Sequence, residues 1–276
     1  MLSSLNLIEY VDGLTAAVEF IGYVAAIGIG LILGLLGGGG SILSIPVLVY
    51  LFQLDPVRAS AYSLFVVGIT SLIGAVPKYR EGHVSLRTGL IFGIPSIVAI
   101  FITRKWFVPL LPDILITLGE FELTRRLLLL GLFAILMIGA SWPMIRTQKV
   151  NDVDRPLRAL PLALQGLLIG FTTGLVGAGG GFLIIPALIF LAGLPFKRAA
   201  GTSLFIIAAN SLIGFVGDVL NFEMDWPFLL LITTLAIIGI LVGNRLSRRL
   251  QNDTLRRSFG WFILVSGVYI LFRELN

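Results

Sequence analysis

GLLGGGGSILSIPVLVYLFQLDPVRASAYSLFVVGITSLIG (residues 34–74) and GLVGAGGGFLIIPALIFLAGLPFKRAAGTSLFIIAANSLIG (residues 174–214) align without a gap at a constant offset of 140 residues, and about half of their positions are identical. Shared hydrophobicity can match leucines by itself. It cannot place a glycine tract, Pro46 with Pro186, Arg58 with Arg198, Ser63 with Ser203 and Ser71 with Ser211 in one register. The chain is therefore an internal duplication, the signal that constrains a fold before any other. Working outward, apolar segments fall at 14–36, 42–52, 59–76, 86–103 and 123–142, and again in the same order at 160–176, 182–191, 199–216, 226–243 and 259–272. The stretch 146–158 is the long polar segment rich in charge and proline, so it divides a first repeat (1–145) from a second (159–276) and reads as a cytoplasmic linker.

Of the 276 residues, 57% are apolar and 13% charged, with a mean hydropathy of +1.00. That is too few charges to coat a water-soluble surface, so the solvent is lipid. At about 20 residues per crossing the length suits about eight to ten spans. With no cysteine and a single histidine, His83, neither a thiolate site nor a multi-histidine metal centre can form, and no metal or cofactor is expected. The net charge of +5 resides in short connections between apolar runs, the distribution of the positive-inside rule and not of a nucleic-acid binder. Glu9 and Asp12 stand where a cleaved signal peptide needs basic residues, so the first apolar run is expected to be retained.

Five segments per half is an odd number, which inverts the second half if all of them cross. Charge tests the inference. The connection after the fourth segment of the second half is strongly basic (Arg245, Arg248, Arg249, Arg257) and is placed in the cytoplasm, which puts Asp218, Glu223 and Asp225 outside. The equivalent of that acidic connection in the first half, with Lys78, Arg80 and Arg87, is basic and belongs inside. Inversion predicts that switch. Arg104, Lys105, Arg125 and Arg126 then fall in an external loop, against the rule. The expected fold is an all-α polytopic membrane protein of two homologous halves arranged as inverted repeats, with about eight full spans and two short broken or re-entrant helices.

Those short elements are the second segments, ten or eleven residues each, where about 20 are needed to span. Each follows a glycine tract: Gly37, Gly38, Gly39, Gly40 and Ser41 in one half, and Gly177, Gly179, Gly180 and Gly181 in the other. Consecutive glycines break a helix, and unwound backbone at membrane depth survives only inside protein or beside a wet cavity. Free amides and the positive end of the following half-helix suit an anion. The third segments add uncharged hydrogen-bonding groups: Ser60, Ser63, Thr70 and Ser71, then Thr202, Ser203, Asn210 and Ser211. Small and hydroxyl residues also serve plain helix packing, so each serine has that alternative reading. Arg58 and Arg198, at matching positions, read either as interfacial anchors or as anion-attracting charges at a cavity mouth. His83 and Lys78 read as loop residues. Asp218, ending a helix, is a candidate for proton coupling.

The double motif GLLGGGGSILSIPVL and GLVGAGGGFLIIPAL, each followed by an arginine–alanine pair, SLF and a closing SLIG, resembles the sulfite exporter TauE/SafE family. The resemblance covers most of the chain. It implies a multi-pass permease of the bacterial or archaeal plasma (inner) membrane whose partners are the lipid bilayer and a small sulfur-containing anion, namely sulfite, a sulfonate or a related organosulfur anion. The expected mechanism is alternating access with the site between the two broken helices, with protons as a candidate coupling ion; an anion channel is the rival reading. No GxxxxGK[ST] signature is present, so any driving force is an ion gradient or the substrate's own. Nothing resembling catalytic machinery stands out, and the chain is not read as an enzyme.

Overall fold

The computed structural model describes residues 2–112, 114–118, 121–146, 159–177, 180–219 and 223–275, with side chains from residue 19 onward except those of 116–118, 121–123 and 275. Its helices are α1 (Leu2–Leu36), α2 (Gly40–Tyr50), α3 (Pro56–Arg80), α4 (Leu86–Ile102), α5 (Val108–Leu110), α6 (Arg125–Ile145), α7 (Ala159–Val176), α8 (Gly181–Phe190), α9 (Phe196–Val219), α10 (Trp226–Ser247) and α11 (Asn252–Leu275). A π-helical turn, Thr103–Phe107, joins α4 to α5 without a break. The one departure from an all-helical chain among the described residues is an antiparallel hairpin, β1 (Ile114–Leu118) and β2 (Phe121–Thr124). Eight described helices are long and apolar enough to cross a membrane; α2 and α8 are not. The linker 147–158 lies outside the described residues.

Local chemistry explains the starts. Asp55 caps α3, accepting from Val57 N, with Pro56 in the first helical position. Asp225 and Thr124 cap α10 and α6 by accepting from Phe228 N and Leu127 N. The outer surface is hydrocarbon: Ile94, Leu164, Leu168, Val242 and Val265 are exposed, as lipid-facing residues should be.

Direction can be read from the glycines. A Cβ on Gly30 would overlap the backbone of Ala236, and one on Gly34 the backbone of Ile240, so α1 and α10 run parallel. Gly166 and Gly170 meet Phe92 and Ser96 in the same way, so α7 and α4 run parallel. Leu64 packs on Gly214, Gly68 on Leu212 and Lys78 on Gly201, so α3 and α9 run antiparallel. The same is true of α6 and α11, where Gly260 meets Met144 and Gly267 meets Met137. Since α3 and α9 are repeat equivalents, their opposition means that the halves are inverted. Each half lends its first helix to the other: α1 lies against α10, α7 against α4.

The end at which α3, α6 and α10 finish carries Lys78, Arg80, Arg146, Arg245, Arg248 and Arg249, and the opposite end carries Asp55, Asp218, Glu223, Asp225 and Glu274 among its charges. Arg104 is not in a loop, contrary to the expectation from sequence. The helix continues through the π turn and the side chain is enclosed, which takes one cation out of the acidic end's count. Lys78 is likewise not a loop residue. It lies in the last turn of α3, is 4% exposed, and donates to Ser247 Oγ of α10.

Because the α4–α7 interface depends on backbone approach, Gly166→Ala should lower stability by about 1–3 kcal/mol. Gly131→Ala, which meets no atom within 4 Å, should be neutral or raise stability by up to about 1 kcal/mol. Thermal unfolding in detergent distinguishes the two.

Candidate functional site

Helix α1 ends at Gly37, whose φ of 77° is left-handed and whose amide closes the last turn on Leu33 O at 2.7 Å. Helix α7 ends identically at Gly177 (φ 78°), whose amide donates to Thr173 O at 2.8 Å. Neither glycine has room for a side chain: Gly37 packs on Ala200 of α9, Gly177 on Ser60 of α3. Ala200 and Ser60 are repeat equivalents near opposite ends of two antiparallel helices. From each turn the chain climbs back to the centre of the bundle, where Gly181 lies against Gly38 and Ile207. Ile207 is seven residues, about 10 Å, along α9 from Ala200.

Two half-helices start at that point. Helix α2, 11 residues or about 16 Å, runs to the acidic end; α8, 10 residues, runs to the basic end. Ile42 N and Leu183 N close on Gly39 O and Gly180 O at 3.2 and 2.9 Å; the amides before them have no preceding turn to bond to, so two positive helix ends converge on one place. Gly40 fits there only because its missing Cβ would overlap Ile29 O of α1. Gly39 turns instead towards Ile32, Leu36 and Phe259, so a side chain there would press on packing and not on the central gap. Gly179 lies outside the described residues. Gly180 keeps a left-handed φ of 75°.

Side chains of α2, α3 and α9 surround the crossing. Ser41, Ser44, Ser63, Thr70, Ser71, Ser203, Asn210 and Ser211 are all 0% exposed. Some are engaged: Ser41 Oγ donates to Gly38 O at 2.7 Å, Ser63 pairs with Ser44, and Ser203 Oγ donates to Gly37 O at 2.6 Å, pinning the first break to α9. Others are not: Thr70 Oγ1, Ser71 Oγ, Ser211 Oγ and Asn210 Oδ1 have no partner among the described residues, although Asn210 Nδ2 donates to Ser96 Oγ at 2.6 Å. Thr70 with Ser71 and Asn210 with Ser211 are repeat-equivalent pairs, and the antiparallel register of α3 on α9 sets them at one level. A buried hydroxyl without a partner is costly, typically about 1–3 kcal/mol. Four such groups in one layer form a polar centre closed from both ends.

Other predicted residues lie elsewhere. Thr202 Oγ1 accepts from Ser85 N at 2.9 Å and donates to Arg198 O at 2.7 Å; it ties the α3–α4 turn to α9. Arg58 and Arg198 are exposed, one at each end of the bundle, and do not meet. His83 sits in the turn after α3, 3.3 Å from Glu81 Oε2.

Sequence reasoning missed the most enclosed charge. Arg104 is 0% and Asp218 1% exposed. Arg104 Nη1 donates to Ser60 Oγ at 2.9 Å and lies 3.4 Å from Asp218 Oδ2. The π turn swings this side chain inward, a common use of such bulges at functional positions. A signal existed: TRKWF (103–107) contains no glycine, proline, asparagine or aspartate that would end a helix; the offset of 140 pairs Arg104 with Asn244, which lies within α10. In the other half Asn244 Nδ2 donates to Gly74 O at 3.1 Å, and Lys78 stands where Asp218 stands. Away from the centre, an apolar groove of about 520 Å³ lies between α6, α7 and α8, and a polar one of about 600 Å³, lined by Tyr50, Arg126 and Arg273, opens at the acidic end.

Crossed half-helices inside a bundle of eight spans define the class: a polytopic membrane transporter built on inverted repeats. The comparisons agree and go further. The family described as Sulfite exporter TauE/SafE matches residues 23–270, and the chain belongs to that family. Relatives include a probable membrane transporter protein of Xylella fastidiosa, 30% identical over 89% of this chain and 92% of its own length. Another is the probable membrane transporter protein YdhB of Bacillus subtilis, 27% identical over 88% and 96%. A third, from Methanocaldococcus jannaschii, is 27% identical over 88% and 93%. No solved structure matches.

If the unpartnered hydroxyls have no structural duty, Ser71→Ala and Ser211→Ala should leave thermal stability unchanged or slightly higher. Ser203→Ala, which strands the Gly37 carbonyl, should cost about 1–3 kcal/mol.

Proposed function

We propose that this chain carries a small organosulfur anion, sulfite or a sulfonate, across a bacterial or archaeal plasma membrane by alternating access, binding it where α2 and α8 cross. The observation that carries the reading is the convergence of two half-helix N-termini on a closed layer of unpartnered hydroxyl and amide groups. Helix ends supply positive potential without a fixed charge, and hydroxyls can turn to donate to oxyanion oxygens. The substrate class rests on the family name. The binding set is Gly38, Gly40, Ser41 and Gly181, with Ser63, Thr70 and Ser71 from α3 and Ser203, Asn210 and Ser211 from α9. Gly37, Gly39, Gly177 and Gly180 shape the two breaks. Arg58 and Arg198 attract anions to the two mouths.

Full enclosure of that layer supports a carrier caught between its two open states and speaks against a channel, whose pore would leave such groups wet. The positive-inside rule puts the Lys78 end in the cytoplasm, and the two repeats, 1–145 and 159–276, exchange conformations as access alternates.

The test is uptake of radiolabelled sulfite by sealed vesicles containing the purified protein, with thiosulfate, sulfate and small sulfonates as competitors, with and without a proton gradient. Saturable, competed uptake is expected, and Ser71→Ala or Ser211→Ala should lower it at least tenfold in protein of unchanged stability. Absence of saturable uptake of any of these anions would overturn the proposal.

A further inference from the structure

The guanidinium of Arg104 has no role in the central layer, yet its surroundings are not those of a structural ion pair. Such a pair is made at the exposed surface by Arg126, which grips both oxygens of Glu274 with Nε and Nη2 at 2.9 and 3.1 Å. Arg104 is enclosed, where a full grip matters more, but among the described residues it is held at one corner only. Nη1 serves Ser60 and faces Asp218. Nε and Nη2 have no hydrogen-bond partner among the described residues, and neither do the two oxygens of Asp218. The edge of the fork that carries Nη2 packs against the turn before the second short helix, where Nη2 occupies the space a Cβ of Gly177 would need. In the other half the matching position, Asn244, is uncharged and donates to the Gly74 carbonyl of α3.

We propose that Arg104 is a substrate ligand, which deepens and rests on the reading of the chain as an organosulfur anion carrier. Nε and Nη2 grip two oxygens of a sulfite or sulfonate group beside the turn at Gly177, on the acidic side of the crossing. Two parallel N–H donors match two oxygens of one sulfur atom, a geometry lysine cannot offer. Asp218 is the resident counter-ion: it holds the guanidinium while no anion is bound and opposes the anion when one arrives, so that binding stays weak enough for release. Ser60 fixes the rotamer through Nη1.

The experiment is a thermal-stability titration of the full-length protein in detergent with sodium sulfite and sodium methanesulfonate, using sodium chloride as the ionic-strength control. The chain has no cysteine, so sulfite has no disulfide to cleave. The wild type should show saturable stabilisation. Asp218→Asn should move half-saturation at least tenfold lower; Arg104→Lys should move it at least tenfold higher; Arg104→Gln should abolish it. Because a single neutralisation strands a buried charge and can unfold the protein, the deciding variant is Arg104→Gln with Asp218→Asn, which removes both. It should be monodisperse and unresponsive. A wild-type response in that double variant would show that Arg104 only holds the fold, and would overturn the proposal while leaving the carrier reading intact. A wild type that responds to neither anion would overturn the carrier reading and this proposal with it.

Discussion

Inside a bilayer no water can satisfy a peptide group, and that constraint governs everything else in this structure. Two breaks in the helices put free amides at the centre of the molecule, where each would cost several kcal/mol if it faced lipid. The remaining helices are arranged to prevent that. Helices α3 and α9 close over the crossing, and Ser203 binds the carbonyl of Gly37. Gly38 and Gly181 bring the starts of the two half-helices into backbone contact.

Hydrophobicity gives no preference for helix over lipid, so the bundle is held by close approach and by hydrogen bonds. Glycines at Gly30, Gly34, Gly239 and Gly243 bring α1 and α10 to backbone contact, and Gly166, Gly170 and Gly174 bring α7 to α4. This exchange of first helices locks the halves together, so neither repeat buries its own glycine face without the other. The ends are fastened by polar pairs: Arg248 with Glu81 and Lys78 with Ser247 at one, Tyr62 Oη accepting from Asp225 N at the other.

The duplication, the inversion, eight spans and two short helices were legible because each rests on a periodic or compositional signal: hydropathy, glycine runs and the fixed offset between Pro46 and Pro186. The central layer was legible in part. The Ser71 and Ser211 hydroxyls and the Asn210 carbonyl oxygen have no partner among the described residues, whereas Thr202 and Ser203 were committed to neighbouring backbone, a distinction that depends on rotamers and partners far apart in the sequence. Arg104 and Lys78 were misplaced for one physical reason. Hydropathy treats a charge as the end of a span, but a charge can stay inside if a π turn or a last helical turn carries it to a partner on another helix. Asp218 and Ser247, 114 and 169 residues away, are not predictable as partners from spacing alone.

Two identical chains packed in opposite senses would present the same surface to both sides of a membrane, and such an assembly has no built-in direction. Here the repeat symmetry is kept in the order and direction of the long helices and is departed from at the π turn, the hairpin and many side chains. At the offset of 140, Ser60 corresponds to Ala200, Arg104 to Asn244, and Lys78 to Asp218. Fusion of the halves into one polypeptide is what lets these positions diverge, since a mutation then falls on one side only. These three pairs carry part of the polarity of the molecule, the property by which one side of a membrane differs from the other.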